Sequence, residues 1–317
     1  MPERARALLL VLSLLSACSS GKGDSSAEKP KRDRWTVPGE PPLRDLVRTG
    51  VLGNARLTEA SGVVASVTVP GVFWSQNDRG NAAILYAYDS SGVPLGTVRV
   101  RGADNTDWEA IAIGPCASGS CLYIGDVGDN YAARAEVRVW RVSVPVTSAS
   151  ASETESPASL RIVYPGGARD VEAMWVAPDT SIWFATKRPN ADDSGRLRPS
   201  QLYRVPAAAW SGKATATAQL MDSLPIVPGT SVSRDWVTDA SLSGVMPTGR
   251  RLVAILTYGS VYVFDADPVT GRPGAQVARC AVPQGERNAE GITWLTDGRL
   301  MLVNEGRGAA LYRGRCP

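Results

Sequence analysis

The fold is decided by a motif that recurs five times: Glu59-Ala-Ser-Gly-Val63, Trp108-Glu-Ala-Ile-Ala112, Val171-Glu-Ala-Met-Trp175, Thr238-Asp-Ala-Ser-Leu242 and Ala289-Glu-Gly-Ile-Thr293. Each copy places a small or acidic residue at the start of a mostly apolar run, and the copies lie roughly 50 to 65 residues apart. Repeats of this length that consist of short strands are typical of β-propellers. Alignment of the copies brings five residues to one repeat position: Ser61, Glu109, Glu172, Asp239 and Glu290.

Short β-rich runs fill the sequence between the motifs, and turn residues separate them. Four repeats contain four such runs, whereas the fifth contains three, and residues 44–53 form a further run before the first motif. A closed propeller usually completes one blade with strands from both chain ends, which removes an exposed sheet edge. We therefore predict an all-β, five-bladed propeller over residues 43–317, with residues 44–53 as the outer strand of the last blade. Six blades are the alternative, if the long third repeat contains two.

The first 18 residues have the pattern of an export signal. A basic start is followed by a short apolar run over residues 7–15, which is too short to span a bilayer. Leu15-Ser-Ala-Cys18 resembles the lipobox of bacterial lipoproteins, which implies cleavage before Cys18 and its acylation, as in a palmitate anchor. The alternative is an ordinary secretory signal. Residues 19–42, rich in Ser, Gly, Lys, Glu and Pro, are predicted to be a flexible tether. We expect an exported protein anchored to the cell envelope, at the outer membrane if the cell is Gram-negative.

Four cysteines remain after Cys18, which suggests two disulfides in an oxidising compartment. Cys116 and Cys121 flank a four-residue segment and would form a local bridge. That pairing leaves Cys280 with Cys316. Metal binding by thiolates is the alternative, although the sequence has neither a histidine nor a paired CxxC.

Composition excludes several classes of function. The chain contains no histidine, so a Ser-His-Asp triad, a Cys-His pair and a His-ligated zinc site are impossible. The formal net charge of +3 gives no reason to expect nucleic acid as a partner. We expect a monomer whose partners are the membrane, through the lipid, and an unidentified protein or small molecule.

The repeat position is expected to lie at the mouth of the central channel, because it begins the inner strand of each blade. Four carboxylates would then face one another: Glu109, Glu172, Asp239 and Glu290. Such a ring must take up protons or hold a cation. An all-oxygen ring suits Ca²⁺, whereas Mg²⁺ demands stricter octahedral geometry. The alternative is that each carboxylate caps backbone amides of neighbouring inner strands.

Loops after the second strands should lie on the same face as this ring. They contribute the candidate ligand-binding residues Asp78, Asp126, Asp129, Asn130, Arg188, Asn304, Glu305 and Arg307. The segment Asp126-Val-Gly-Asp-Asn130 is either a second Ca²⁺ site or a tight turn that satisfies its own backbone. The basic residues either hold an anionic ligand beside the metal or are simply solvated.

The motifs together resemble the SdiA-regulated family of periplasmic β-propellers over residues 59–313. The resemblance implies a propeller whose acidic ring is a Ca²⁺ site at Glu109, Glu172, Asp239 and Glu290, without implying an enzymatic role. The fourth position is aspartate instead of glutamate. The motifs also show a weaker similarity to calcium-dependent propeller hydrolases of the apyrase-like, lactonase-like and phytase-like kinds, although histidines found in some of these are absent.

Two functions follow as expectations. The first is a lipid-anchored binding or scaffold module with a central Ca²⁺. The second is a divalent-metal-dependent hydrolase of phosphate esters or lactones, in which a ring carboxylate acts as base and Arg188 or Arg307 steadies the anion. Catalytic residues are not assigned from the sequence.

Overall fold

The computed structural model describes residues 39–117, 119–147, 152–188, 194–212, 215–230, 233–282 and 289–317. The predicted signal peptide, Cys18 and most of the predicted tether lie outside these residues. Within them, the strands form five sheets, each with an antiparallel core of four strands. These are the five blades of a β-propeller, which confirms the predicted fold class and blade number.

The strands follow one another in chain order, beginning with β1 (Arg44–Val51). Blade 1 contains β2 (Val64–Ala65), β3 (Val72–Gln76), β4 (Ile84–Asp89) and β5 (Pro94–Arg99). Blade 2 contains β6 (Trp108–Cys116), β7 (Gly119–Asp126), β8 (Val137–Ser143) and, after the short β9 (Ser152–Glu153), β10 (Ala158–Val163). Blade 3 contains β11 (Val171–Val176), β12 (Ile182–Thr186), β13 (Gln201–Val205) and, after the short β14 (Ala216–Thr217), β15 (Gln219–Ser223). Blade 4 contains β16 (Val237–Leu242), β17 (Arg251–Thr257), β18 (Ser260–Ala266) and β19 (Pro273–Ala281). Blade 5 contains β20 (Ala289–Trp294), β21 (Leu300–Asn304) and β22 (Ala310–Arg315).

The ring is closed by a strand from the beginning of the propeller. β1 pairs antiparallel with β22, from Arg44 opposite Arg315 to Val51 opposite Ala310, and so becomes the outer strand of blade 5. Cys280 is bonded to Cys316 beside this blade, and Cys116 is bonded to Cys121 across the β6–β7 turn. The predicted closing strand and both predicted disulfides are confirmed.

Blade-to-blade packing forms the core. Five clusters of buried apolar side chains lie between neighbouring blades, one at each of the five interfaces. The second strands show why: β12 reads Ile-Trp-Phe-Ala-Thr and every residue is buried, since its two faces pack against different blades. β-Branched and aromatic residues suit such two-sided burial on a pleated surface.

Two short strands differ from the predicted pattern. β9 precedes β10, the outer strand of its own repeat, yet it pairs in parallel with β5 of blade 1. β14 precedes β15, the outer strand of blade 3, yet it pairs in parallel with β10 of blade 2. A five-residue 3₁₀ helix, Ala207–Ser211, follows β13. The two short strands extend blades 1 and 2 to five strands and link adjacent blades at the rim.

The described end of the predicted tether lies against blade 4. Glu40 pairs with Arg234 at 2.6 Å and with Arg279 at 2.9 Å, and the Pro41 carbonyl accepts the Ala281 amide. Among the described residues, the structure contains no helix of the length and apolarity that a membrane span requires.

Candidate functional site

Three inner strands begin with an irregularity that turns a glutamate toward the channel mouth. Trp108 pairs with Asp126 but Ala110 pairs with Gly125, so Glu109 is an extra, bulged residue. The same offset leaves Glu172 extra on β11 and Glu290 extra on β20. A β-bulge re-aims a side chain locally, which explains why these three glutamates converge although they begin three different blades.

The register of blade 4 differs from the sequence alignment by one residue. Val237 pairs with Thr257 and Asp239 pairs with Leu256, which makes Thr238 the bulged residue. Asp239 instead points into the propeller, where it is fully buried. Its carboxylate accepts the amides of Ala240 and Ile292, both at 2.8 Å, and that of Val63 at 3.4 Å. Asp239 therefore ties three blades together, as the backbone-capping alternative anticipated for the ring. Thr238 takes the bulged position of this strand, and its hydroxyl donates to the Ala289 carbonyl at 3.0 Å.

A lysine lies among the three bulged glutamates. Lys187 Nζ is 2.5 Å from Glu172 Oε1, and both side chains are buried. Burial alone would lower the pKa of Lys187, but the carboxylates of Glu172 and Glu290 outweigh it and raise this pKa well above its usual value. The ammonium also lies 5.5 Å from the ring centre of Tyr258, a favourable cation–π distance. One fixed positive charge therefore neutralises part of the acidic ring.

The remaining negative charge is concentrated at one side of the mouth. Asp78, Asp107 and Glu109 each direct a carboxylate oxygen to a common point, and these oxygens lie within 4.8 Å of one another. Asp107 and Glu109 are buried, and Asp107 Oδ1 has no hydrogen-bond partner among the described residues. A buried carboxylate oxygen without a donor is costly unless a cation supplies its partner.

Local hydrogen bonds hold this carboxylate cluster in place. The Asn105 side-chain amide donates to the Asp78 carbonyl at 2.8 Å, and its oxygen accepts the Trp108 amide at 3.0 Å. Asn105 thereby connects the blade 1 loop to the start of blade 2. The Asp107 amide donates to Asp126 Oδ1 at 3.1 Å. Asn105 and Asp126, which do not belong to the cluster, thus fix the backbone on which its carboxylates are carried.

Gly128 forms the wall behind the cluster. A β-carbon at this position would lie 2.5 Å from Glu109 Cγ and 2.7 Å from Asp107 Cγ, which is closer than any real contact. Only glycine leaves room for both carboxylates. The acidic, glycine-containing segment at residues 126–130 thus contributes to the site through its missing side chain.

Burial and mutual repulsion perturb the acidic groups. Burial, followed by the charge of Asp78, raises the pKa of Asp107 to about 7. Burial, followed by the charges of Glu172 and Asp78, raises the pKa of Glu109 well above its usual value. Burial likewise raises the pKa of Glu290 to about 7, although Lys187 opposes the shift. These carboxylates resist ionisation together in the absence of a bound cation, and a cation would remove that resistance.

The cluster fits a hard divalent ion. Its candidate ligand atoms are all carboxylate oxygens, and Asp107 has a buried oxygen without a hydrogen-bond partner among the described residues. The Ser61 hydroxyl donates to Glu109 Oε2 at 2.6 Å. Ca²⁺ accepts six to eight oxygen ligands in flexible arrangements and retains waters readily. Asp78, Asp107 and Glu109 are the residues that would hold it. The remaining ligands would be waters or oxygens of a bound molecule.

Two members of the cluster, Asp78 and Glu109, line a polar cavity of about 150 Å³ at the channel mouth. Its lining includes carboxylates, two cations and three other polar side chains: Glu59, Asp78, Glu109, Glu172, Glu290, Glu305, Arg79, Lys187, Ser61, Asn130 and Tyr258. A volume of this size accommodates an ion with several waters or a small anionic group. The cavity therefore places an acidic cation site and two basic side chains within reach of one ligand.

The other predicted loop residues fall into two groups. Asp78, Asn130 and Glu305 line the cavity. Arg188 lies behind it, where it pairs with Asp170 at 2.9 Å and donates to the Asn130 carbonyl. Asn304 is buried at the end of β21, and Arg307 is exposed and does not line the cavity.

The two aspartates of the 126–130 segment serve the backbone. Asp126 pairs with Arg134 at 2.8 Å and accepts the Asp107 amide. Asp129 accepts the amides of Ala133 and Arg134. Both carboxylates are thus occupied, which is the tight-turn alternative for this segment.

Sequence reasoning missed Asp107 as a member of the cluster. The signal was present, because acidic residues two positions apart occur at 107 and 109 and again at 170 and 172. Residues two apart on a strand share a face, so such a pair can converge. In the third blade the same pattern has a different outcome, since Asp170 is engaged by Arg188 and by the Asp129 amide.

Several known structures are distantly similar to this chain. A gluconolactonase from Xanthomonas campestris is 16% identical, covers 88% of this chain and 85% of its own, and gives a TM-score of 0.42. A glucose dehydrogenase is 11% identical, and the match covers 86% of this chain and 99% of the dehydrogenase with a TM-score of 0.46. The soluble aldose sugar dehydrogenase from Escherichia coli is 10% identical, and the match covers 86% of this chain and 99% of that enzyme with a TM-score of 0.45. At these TM-scores the likenesses carry no argument about this chain, whose fold follows from its own sheet topology.

No protein-family model matches the chain, and no curated protein matches it. The resemblance to the SdiA-regulated propellers therefore stays a prediction, and the functional argument rests on the residues of the channel mouth.

Proposed function

We propose that this chain is a Ca²⁺-binding β-propeller of the cell envelope, anchored through Cys18, that binds an anionic group of its partner at the channel mouth. The observation that carries the proposal is the convergence of Asp78, Asp107 and Glu109 around one point, with a buried Asp107 oxygen that lacks a donor. The two disulfides support an exported location, because such bonds persist in oxidising compartments. The acyl anchor is supported by the lipobox-like sequence alone.

The surroundings of the ion favour an anionic ligand. Lys187 and Arg79 line the same cavity as the carboxylates, so a carboxylate or phosphate could contact the ion and a basic side chain together. Lys187 is held by Glu172, whereas Arg79 is exposed at the rim. An anion entering from solvent would meet Arg79 first and the ion next.

Terbium luminescence tests the ion site. Tb³⁺ substitutes for Ca²⁺ at oxygen sites, and Trp108 lies in sequence between two of the ligands, so its excitation should sensitise terbium emission. We expect emission from the full chain that Ca²⁺ displaces and that Asp78→Asn abolishes. Asp222→Asn, which alters an exposed carboxylate on blade 3, serves as the matched control. Emission that persists in Asp78→Asn, or that Asp222→Asn also removes, would contradict the assignment.

A hydrolase of phosphate esters or lactones is the second candidate, and one observation favours it. Glu290 lies in the same cavity with a pKa of about 7, a value suited to a general base at neutral pH. A bound divalent ion would polarise the scissile phosphoryl or carbonyl group. Glu290 would take the proton of the attacking water. The ammonium of Lys187 would stabilise the negative charge that develops on the substrate.

Turnover separates the two candidates. p-Nitrophenyl phosphate and dihydrocoumarin are suitable probes, with Ca²⁺ added or chelated. A hydrolase should show Ca²⁺-dependent turnover that Glu290→Gln lowers by at least about 100-fold, the usual contribution of a general base. Intact Ca²⁺ binding without turnover of either probe would favour the binding module.

A further inference from the structure

A second cavity opens at the opposite end of the central channel. The acidic site uses the first residues of the inner strands, at Glu109, Glu172 and Glu290. The second cavity, of about 610 Å³, is lined by residues further along the same strands, including Ile113, Val176 and Trp294. All five blades contribute to its lining, so it lies on the propeller axis.

The centre of the propeller separates the two cavities. A β-carbon on Gly291 would lie 2.9 Å from the Gly62 carbonyl carbon, which shows how closely blades 1 and 5 approach there. The Asp239 carboxylate joins Val63 and Ile292 at the same level. Because this layer is closely packed, we expect a ligand in one cavity to leave the other unaffected.

The lining of the second cavity is mainly apolar. It includes valine, isoleucine, leucine, methionine and phenylalanine side chains and the rings of Trp175 and Trp294. The two indole N–H groups already donate to backbone carbonyls, those of Gly271 and Ser241, at 3.0 and 3.1 Å. The rings are therefore fixed and offer carbon surfaces to a ligand. Pockets that bind small molecules typically have about 300–1,000 Å³ and a lining of this kind.

The rim of this cavity also exposes apolar surface. Val67 and Val245 line it and remain 64% and 62% exposed, which is unusually high for large aliphatic side chains. Exposed apolar residues that adjoin an apolar cavity commonly mark a binding site. The ligand should therefore carry an apolar body that reaches from the rim into the channel.

One basic side chain lines the cavity wall between blades 5 and 1. The Nε of Arg313 is buried and has no hydrogen-bond partner among the described residues. The carboxylate of Asp297 also lines the cavity, but it is already paired with Arg299, so two arginines lie near one aspartate. An unpartnered guanidinium N–H beside an apolar cavity suits a carboxylate at one end of an apolar chain.

We propose that this cavity binds an amphipathic carboxylate of the fatty-acid class, with its alkyl chain along the channel and its head group at Arg313. The site is independent of the cation site and of the proposed function, since it uses different residues at the other end of the channel. Its recognition rests on shape, apolar lining and a single positive charge.

Calorimetric titration of the full chain with decanoate tests the proposal, in buffer that contains a chelator so that Ca²⁺ plays no part. We expect saturable binding of about one decanoate, and at least tenfold weaker binding of decyltrimethylammonium, which has the same chain and the opposite charge. Arg313→Gln should weaken decanoate binding about tenfold or more, as expected for loss of a hydrogen bond between charged groups.

Gly244→Trp provides the blocking variant. Gly244 lines the cavity, its backbone is not in the left-handed region, and an added β-carbon would meet nothing within 4 Å. The indole should fill the mouth without disturbing the fold and should abolish binding. Gly212→Trp is the matched control, because Gly212 lies outside the cavity and an added β-carbon there meets only the Ala209 carbonyl, at 3.6 Å.

Three results would overturn the proposal: no decanoate binding by the wild type, binding unchanged in Gly244→Trp, or equal binding of the anionic and cationic amphiphiles. Unchanged binding in Arg313→Gln would refute recognition of the carboxylate by that residue. Asp107→Asn should leave decanoate binding intact. A failure of the decanoate proposal can therefore be told apart from a failure of the proposed Ca²⁺ site.

Discussion

Lys187 Nζ lies 2.5 Å from Glu172 Oε1 at the centre of the acidic mouth, and both side chains are buried. This pair allows three glutamates on three blades to share one small space. It also leaves the carboxylates nearest Asp78 without a fixed cation of their own. The position of this lysine therefore decides how charge is distributed at the mouth.

Removal of the lysine should destabilise the fold. Lys187→Met leaves Glu172 as an uncompensated buried charge, and breaking a buried pair in this way costs about 3–5 kcal/mol. Urea unfolding at pH 8 measures the loss. Arg101→Met, which breaks the exposed Arg101–Glu153 pair, is the control and should cost less than about 1 kcal/mol. Equal effects of the two substitutions would argue against a buried compensating role for Lys187.

Gly128→Ala should damage the cation site specifically. The new methyl group would collide with Asp107 and Glu109 and separate their carboxylates. We expect Ca²⁺ affinity to fall at least about tenfold, since the ligand geometry would change by roughly an ångström. Gly212→Ala, where the added atom has space, should bind Ca²⁺ like the wild type. A Gly128→Ala protein with normal affinity would show that the ion binds elsewhere.

Acidification should stabilise the metal-free protein. Asp107, Glu109 and Glu290 have folded-state pKa values above those of exposed carboxyl groups, two of them at about 7. Between about pH 4 and 7 the folded state then binds more protons than the unfolded state, so stability falls as pH rises through this range. Thermal unfolding in a chelator should give a higher midpoint at pH 5 than at pH 8. The opposite order would contradict the assigned burial of these carboxyls.

Protons should compete with Ca²⁺ over the same range. With a pKa of about 7 for Asp107, the ionised fraction falls about 30-fold between pH 8 and pH 5.5, and Ca²⁺ affinity should fall by a similar factor. Calorimetry at the two pH values measures it. An affinity independent of pH would mean that Asp107 is not a ligand.

Much of the fold could be predicted because its signals are local and repeated. The five motifs set the blade number, and the missing fourth run of the last repeat identified residues 44–53 as the closing strand, as β1 confirms. The four cysteines after Cys18 allowed few pairings, and the expected ones are present. The parallel addition of β9 to blade 1 was not predictable, since a two-residue pairing over a long separation leaves no pattern.

The site was less predictable because a bulge has no distinct sequence signature. Thr238 and Asp239 are both polar, so alignment alone could not decide which of them occupies the repeat position. The pairing of β16 with β17 leaves Thr238 unpaired and therefore puts Thr238 at the repeat position. Asp107 was overlooked because the alignment of the five motifs assigned Glu109, two residues later, to the repeat position. Asp78 reaches the cluster from another blade, through contacts that only the folded chain creates.

Asp239→Asn should separate structure from metal binding. Both carboxyl oxygens of Asp239 accept backbone amides, so the substitution replaces one acceptor with an NH2 group, and a buried donor left without its partner costs about 1–3 kcal/mol. We expect lower stability in urea with an unchanged Ca²⁺ affinity. A loss of Ca²⁺ binding by a well-folded Asp239→Asn protein would return this residue to the ligand set.

The two disulfides should contribute unequally. Loop-closure entropy predicts about 4 kcal/mol for Cys280–Cys316, which spans 36 residues, and about 2 kcal/mol for Cys116–Cys121, which spans five. Serine substitution of each pair followed by urea unfolding measures the difference. A larger loss for the short bridge would show that local strain or denatured-state structure outweighs chain entropy.

Calorimetric titration of the full chain with Ca²⁺ at pH 8 tests the central claim most directly, with Asp107→Asn and Asp239→Asn titrated alongside. The carboxylate cluster predicts one ion per wild-type chain, binding lost or weakened at least about tenfold in Asp107→Asn, and normal binding in Asp239→Asn. No Ca²⁺ binding by the wild type, or binding that Asp107→Asn leaves unchanged, would contradict it.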